Sequence, residues 1–277
     1  MRERLPALLA LAIPVLTGAI CMALAGAPSP YPLVNLAALA AGLAWIVYGI
    51  APATALDRRI MAGVLLALLV VPVVTGPVLN SITGDPVARW LPLGPVMLHS
   101  GMLTLPALTL LAAREERHGY ALLLAALAIL LFQPDAASGF ALTFAAVGLH
   151  HITRDWRMGL VAIIGFFASI GMNLAGELPP EPFVERVLVD AAMTNLALAA
   201  ILALSLLASF LLIVFAAPLP RPERFGLAGA LFGFAITALM THYPTPFYDS
   251  LRPPPFINFD QILGSSERDS KYQGDGN

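Results

Sequence analysis

The residues of this chain best suited to acid–base chemistry by type and spacing are three glutamates near residue 180. Glu177, Glu181 and Glu185 lie in one proline-rich segment between two apolar stretches. Neighbouring carboxylates can divide general-acid and general-base work when their surroundings separate their pKa values. A spacing of four residues through a proline-rich loop does not fix such a geometry, so a simply solvated loop is the other interpretation.

A polar turn formed by Gln133, Pro134 and Asp135 separates two short apolar segments. Aspartate is a favoured N-cap residue, so Asp135 could cap the helix that follows by accepting hydrogen bonds from its first N–H groups. The functional interpretation places Gln133 and Asp135 at the bottom of an outward cavity, where they bind a cation or a polar head group. The two roles are compatible.

The histidines and the cysteine raise the question of metal or haem. His99 and His242 fall near the same side of the predicted membrane on different segments, and two histidines on facing helices can ligate a haem. No spacing indicates such a pair. Cys21 is the only cysteine, which excludes an intramolecular disulfide and a cysteine-based metal cluster. We predict no metal site and no cofactor.

The composition predicts that these residues are positioned by membrane helices. Mean hydropathy is +0.82, 58% of the residues are hydrophobic and 12% are charged, whereas a soluble domain needs about twice that charge. A net charge of −2 without a basic run gives no indication of a nucleic-acid partner. The preference for arginine over lysine, with abundant alanine, leucine and glycine, is typical of a bacterium with a GC-rich genome.

Arginines occur in pairs at every second gap between apolar stretches. The pairs are Arg2/Arg4, Arg58/Arg59, Arg114/Arg117, Arg154/Arg157 and Arg221/Arg224. Basic residues next to membrane spans are retained on the cytoplasmic side. The pattern therefore predicts a multi-pass protein of the bacterial inner membrane, with the N-terminus inside.

Windows of about 20 apolar residues predict an all-α bundle of about nine spans. They lie near residues 5–25, 33–51, 60–79, 93–113, 119–132, 136–152, 158–176, 187–216 and 225–242. An odd number of spans places the C-terminus outside. Residues 1–242 form the transmembrane domain and residues 243–277 a tail outside the membrane.

Two neighbouring spans are short and a later one is long. Residues 119–132 and 136–151 rise only ~21 and ~24 Å as helices, against ~30 Å of hydrocarbon, so the turn between them dips below the outer surface. Residues 187–216 would rise ~45 Å, which implies a tilted helix or a first turn or two at the interface.

Most remaining charged and polar candidates fall in the outer half of this topology. They are Asp85, Arg89, His99, Gln133, Asp135, Glu177, Glu181, Glu185, Arg186, Asp190 and His242. Ionisable groups at membrane depth usually face a cavity, a partner charge or a pathway. We therefore expect chemistry or binding on the outer side, together with contacts to membrane lipid.

The tail alternates proline with aromatic residues over Tyr243–Phe259 and is polar after Gly264. Proline stiffens an extended chain, which suits docking of Tyr243–Phe259 along a protein partner. The alternative is a solvated terminus with a few aromatic side chains at the membrane interface.

Two segments resemble the SEDS family, the peptidoglycan polymerases of shape, elongation, division and sporulation. The first contains Arg89-Trp90 and Leu93-Gly94 and leads into a span, like an outer loop and helix of that family. The second is Gln133-Pro134-Asp135 followed by small residues, similar to the turn that opens the family's next helix. Where the family has Gln-Pro-Ser-Glu this chain has Leu98-His99-Ser100-Gly101, and the chain resembles a shortened member.

The resemblance implies an outward cavity for a lipid-linked saccharide, with Arg89, Gln133 and Asp135 as substrate-binding residues. It also implies a catalytic carboxylate in the outer loop after the seventh span, which by position is the loop of Glu177, Glu181 and Glu185. The expected role is in or beside cell-envelope glycan assembly.

Two other functions stay open on the sequence. The protein could be a non-catalytic subunit of a larger membrane complex that binds its partners through the tail. It could also be a small-solute transporter in which Asp135 and Asp190 are coupling carboxylates. The sequence does not decide whether the protein is an enzyme.

Overall fold

A computed structural model of the chain describes residues 2–79, 86–93, 96–175 and 187–240. The helices are α1 (Leu5–Leu24), α2 (Pro30–Tyr48), α3 (Ala55–Thr75), α4 (Ser100–Arg114), α5 (Gly119–Phe132), α6 (Ala136–Thr153), α7 (Trp156–Ala175), α8 (Val187–Thr194), α9 (Leu196–Leu211) and α10 (Arg221–Met240). A π-helical turn, Leu212–Ala216, extends α9. Two antiparallel hairpins lie between α3 and α4: β1 (Val78–Leu79) with β2 (Pro86–Val87), and β3 (Trp90–Leu93) with β4 (Val96–His99).

Five helical segments of the described chain are long and apolar enough to cross a membrane. They are Leu5–Leu24, Pro30–Tyr48, Ala55–Thr75, Trp156–Leu174 and Leu196–Ala216. Large apolar side chains such as Ile20, Trp45 and Phe167 are exposed on these helices, as expected of surfaces that face lipid rather than water. The predicted all-α class is confirmed, and the helices suit a membrane protein.

The core is built around α6, which packs closely against α10 and α7 and also contacts α4 and α5. Glycines of α10 allow the closest approach. A Cβ atom on Gly229 would lie 2.1 Å from the carbonyl oxygen of Phe144, and one on Gly233 would lie 2.5 Å from the Cα of Ala141. Small residues at helix crossings allow backbones to touch, which is how membrane helices gain packing energy without a hydrophobic drive between them.

The first part of the predicted span 93–113 is wrong. Helix α4 begins only at Ser100 and has 15 residues, and the residues before it form the hairpin β3–β4. Gly94 followed by Pro95 is typical of a turn, and a residue that precedes proline disfavours helical geometry. The apolar run is therefore part hairpin and part helix.

The predicted segment 187–216 is not one continuous helix, because the helix breaks at Asn195 and leaves α8 as a separate first part. The Asn195 backbone is extended, with φ −162° and ψ 118°. Its side-chain oxygen accepts a hydrogen bond of 2.8 Å from the N–H of Ala197 and so caps α9. Asparagine side chains compete with the helical backbone in this way. The remaining Leu196–Ala216 has 21 residues, the length of one upright span, so no tilt is required.

The arginine-pair loops lie at one end of the bundle, where their side chains bond neighbouring backbone and carboxylate groups. Arg4 donates to the carbonyl oxygens of Ile46 and Val47 at the end of α2. Arg224 donates to the carbonyl oxygen of Val214 at 3.1 Å, and Arg157 to that of Arg117 at 3.4 Å.

A part-buried ion pair joins the loop of Arg114 and Arg117 to the loop of Arg221 and Arg224. The Arg114 guanidinium makes two hydrogen bonds, of 3.0 and 2.9 Å, to the Glu223 carboxylate. Glu223 is 4% exposed. We call this end of the bundle, with its arginine-pair loops, the arginine end.

Candidate functional site

A buried polar cluster lies at the opposite end of the bundle from the arginine end. Its members are Arg89, Trp90, His99, Ser100, Gln133, Asp135 and Ser138. They come from the hairpin β3–β4, the start of α4, the turn between α5 and α6, and the first turn of α6. We refer to this set as the polar cluster.

The hairpin places Arg89, Trp90 and His99 side by side. Trp90 pairs with His99 across the two strands, and their rings meet edge to face with centroids 5.2 Å apart. The N–H of Ser100 donates to the carbonyl oxygen of Arg89 at 3.0 Å, which closes the hairpin onto α4. Arg89 and His99 are each 6% exposed, so the hairpin carries a guanidinium and an imidazole into a buried position.

The turn between α5 and α6 is fully buried at Gln133 and Asp135, which are both 0% exposed. Both polar ends of the Gln133 amide have partners. Its Nε2 donates to the carbonyl oxygen of Leu69 on α3, and its Oε1 accepts from the Ser100 hydroxyl at 3.4 Å. Gln133 therefore joins three helices and fixes the turn in place.

The two oxygens of Asp135 have different surroundings. Oδ1 accepts a hydrogen bond of 3.2 Å from the N–H of Ser138, so the predicted capping role is confirmed. Oδ2 lies 3.6 Å from His99 Nε2, which is longer than a hydrogen bond. Among the described residues, Oδ2 has no hydrogen-bond partner. A buried carboxylate oxygen without a partner carries a desolvation cost that a ligand donor would relieve.

The His99 ring has a defined orientation. Its Nδ1 accepts a hydrogen bond of 3.3 Å from the N–H of Met102, so the proton of a neutral imidazole is on Nε2, the nitrogen that faces Asp135. The Arg89 guanidinium and the Asp135 carboxylate both act electrostatically on this ring. The cluster thus brings together a buried acceptor and two donors, a set that suits a ligand with both anionic and hydroxyl groups.

Gly101 sets the separation of α4 and α6 beside the cluster. A Cβ atom on Gly101 would lie 1.8 Å from the Ser138 hydroxyl oxygen and 3.1 Å from Asp135 Oδ2. No larger residue fits there without moving α6. The Ser138 hydroxyl is buried and has no hydrogen-bond partner within the described parts of the chain. With Asp135 Oδ2, it is the second buried oxygen of the polar cluster without such a partner.

The structure brings together the predicted substrate-binding set Arg89, Gln133 and Asp135. It adds His99, Ser100 and Ser138, which sequence reasoning did not assign to the site. The sequence signal for Ser138 is its position three residues after Asp135, since the side chain of an N-cap residue accepts a hydrogen bond from the N–H two or three residues further on.

Several other predicted residues lie outside the described residues. They are Asp85, Glu177, Glu181, Glu185, Arg186, His242 and Tyr243–Phe259, together with the side chain of Asp190. Within the described ranges, no three histidine, cysteine, aspartate or glutamate side chains converge on a metal site.

Comparison with known protein families, curated proteins and solved structures gives no match to this chain.

Proposed function

We propose that the protein is a nine-span protein of a bacterial inner membrane that acts in or beside cell-envelope glycan assembly, with the polar cluster as the site for a lipid-linked saccharide. The observation that carries the proposal is the contact between the two SEDS-like segments. The first segment is in contact with the second through the residues that follow it at the start of α4: His99 lies 3.6 Å from Asp135. Ser100 lies 3.4 Å from Gln133.

The proposed topology has the N-terminus inside and the C-terminus outside. Helices α1 to α7, the pair α8–α9, and α10 are its nine spans. The clustering of the arginine-pair loops at one end supports this topology, because basic residues are retained on the cytoplasmic side. The polar cluster is then on the outer side, where a lipid-linked saccharide would be used.

Each member of the polar cluster has a role in the proposal. Arg89 attracts the phosphate groups of the ligand, since a guanidinium presents several N–H donors to phosphate oxygens. Asp135 Oδ2 and the Ser138 hydroxyl bond the sugar hydroxyls. Gln133 has both amide ends engaged, so it positions the turn rather than binding the ligand. Catalysis, by position, is assigned to the loop of Glu177, Glu181 and Glu185.

A second candidate function rests on the tail. The proline and aromatic pattern of Tyr243–Phe259 favours a non-catalytic subunit that binds a membrane partner, since a stiff segment loses little entropy on docking. Truncation after His242 would then remove the copurifying partner and leave the lipid content of the protein unchanged.

The test of the first proposal is Asp135→Asn, with Asp155→Asn as its matched control. Asn keeps a capping acceptor and removes only the charge. Asp155 is also bonded to a backbone N–H, that of Arg157 at 3.0 Å, but lies at the arginine end. Each protein is purified in mild detergent from its native bacterium, and bound lipids are identified by mass spectrometry.

We expect lipid-linked saccharide to copurify with the wild-type protein and with Asp155→Asn. Asp135→Asn should retain about tenfold less, as expected for one lost charge-assisted hydrogen bond. Thermal unfolding of all three proteins should be alike, whereas Asp135→Ala should lose about 1 kcal/mol of stability through the cap. Wild-type protein without such lipid, or equal retention in both aspartate variants, would contradict the proposal.

A further inference from the structure

A cleft at the arginine end lies between the first turns of α5 and α7, far from the polar cluster. Its volume is about 490 Å³, which is in the range of small-ligand sites. Arg117, His118, Tyr120 and Arg157 line its polar part, and Trp156 lines the rest together with apolar side chains including Leu124 and Leu160. The cleft is thus cationic and aromatic on one side and apolar on the other.

The cationic part of the cleft is held in place before any ligand binds. The Arg157 guanidinium lies over the Tyr120 ring, 5.2 Å from its centroid, and donates to the carbonyl oxygen of Arg117 at 3.4 Å. A guanidinium has five N–H donors, and this is the one side-chain hydrogen bond of Arg157 found in the described part of the chain. Donors therefore remain for an anion.

The apolar part of the cleft belongs to the lipid-facing surface. Trp156 is 68% exposed and Leu160 is 45% exposed. Both lie in the first turns of α7, one of the helices of membrane-spanning length. Tryptophan and tyrosine at the ends of spans rest at the level of lipid head groups, and a basic pocket between spans is suited to anionic lipid.

We propose that this cleft binds one anionic phospholipid, with its phosphate between Arg117 and Arg157 and an acyl chain along Leu124 and Leu160. Charge complementarity and the change from polar to apolar lining within a single cleft select this occupant. A soluble anion would use only the cationic part, and a zwitterionic lipid would bring its own cation to the arginines. The proposal is independent of the function proposed for the polar cluster.

Tryptophan fluorescence can report the lipid directly. The wild-type protein and the variants Trp45→Phe and Trp156→Phe are placed in nanodiscs that contain a small fraction of brominated phosphatidylglycerol or brominated phosphatidylcholine. Trp45 is 63% exposed near the end of α2 and reports lipid at the same end of the bundle, outside the cleft. Trp90 is 9% exposed and is common to both variants.

We expect phosphatidylglycerol to quench Trp45→Phe, which retains Trp156, more strongly than phosphatidylcholine does. Trp156→Phe should show no preference between the two lipids. Equal quenching of Trp45→Phe by the two lipids, or equal preference in both variants, would overturn the proposal.

A pair of charge variants then locates the site. Arg117→Gln/Arg157→Gln should weaken phosphatidylglycerol binding about 25-fold, at about fivefold for each arginine lost near the membrane surface. The control Arg58→Gln/Arg59→Gln removes the same charge from the arginine end without touching the cleft and should leave binding unchanged. Equal loss in both pairs would identify general surface attraction and overturn the proposal. So would displacement of the lipid by millimolar inorganic phosphate, which would identify a simple anion site.

Discussion

The buried carboxylates at the two ends of the bundle differ in how they are paired. At the arginine end, Arg114 and Glu223 satisfy each other through two short hydrogen bonds, and Arg4 and Arg224 bond carbonyl oxygens. At the other end, His99 and Asp135 lie 3.6 Å apart without a hydrogen bond between them. One Asp135 oxygen has no hydrogen-bond partner among the described residues, although Asp135 is 0% exposed.

This difference separates a carboxylate that holds the fold, Glu223, from one with an oxygen available to a ligand, Asp135. A paired ion at a helix end stabilises the native state by itself. A buried oxygen without a partner costs free energy and is tolerated where a ligand completes the set. The polar cluster is therefore the better place to look for function, even though the arginine end contains more charge.

The test with the largest expected effect concerns the assignment of the two ends to the two sides of the membrane. A reporter that is active only in the periplasm should be active when fused after Asn277 and inactive when fused after Arg117, because the arginine pairs are retained inside. The readout is enzyme activity of the fusions in whole cells, normalised to protein level. The reverse pattern would place the polar cluster on the cytoplasmic side and contradict its proposed role as an outward-facing ligand site.

The next effect is on stability at the arginine end. Arg114→Ala leaves the Glu223 carboxylate, which is 4% exposed, without its partner. The expected loss is about 3 kcal/mol in the free energy of unfolding, as for other broken buried pairs. Thermal unfolding in detergent measures it, with Arg59→Ala as a control at an exposed position.

A double variant sharpens this prediction. Arg114→Met/Glu223→Leu removes both charges and should recover most of the stability, since an apolar pair of similar size needs no partner. If Arg114→Ala unfolds at the wild-type temperature, the pair does not hold the fold and the contrast between the two ends is lost.

A smaller effect is expected at the polar cluster. Gly101→Ala places a Cβ atom 1.8 Å from the Ser138 hydroxyl oxygen, so α4 and α6 must separate, at a cost of about 2 kcal/mol. Gly63→Ala in α3 is the matched control, because nothing lies within 4 Å of its Cβ position. That control should gain up to about 1 kcal/mol from helix propensity.

Ser138→Gly tests the same contact from the other side. The double variant Gly101→Ala/Ser138→Gly should recover stability, because it removes the atoms that the new methyl group meets. Additive losses in the double-mutant cycle would show that the two residues do not touch.

Local features of the fold followed from the sequence because they depend on neighbouring residues. The ends of α5 were predicted as Gly119 and Phe132 and lie there, since Gln133 and Pro134 stop the apolar run. Asp135 was predicted to cap α6 and does so through the N–H of Ser138. The arginine pairs were recognised from spacing alone, and their loops share one end of the bundle.

Other features depended on the tertiary structure because hydropathy measures composition and not backbone geometry. The run 93–113 is apolar whether it is helix or strand, and only the pairing of Trp90 with His99 distinguishes the hairpin. The run 187–216 is apolar on both sides of Asn195, and its break depends on one side-chain cap.

The sequence by itself determined which residues are polar within apolar surroundings and that the chain is built of apolar helices. Only the tertiary structure decided which of those polar residues meet. Arg89, His99 and Asp135 come from separate segments, and Gln133 is held by the Leu69 carbonyl of α3. Such contacts require the helices to be packed first, because a side-chain hydrogen bond between distant segments has no local signal in the chain.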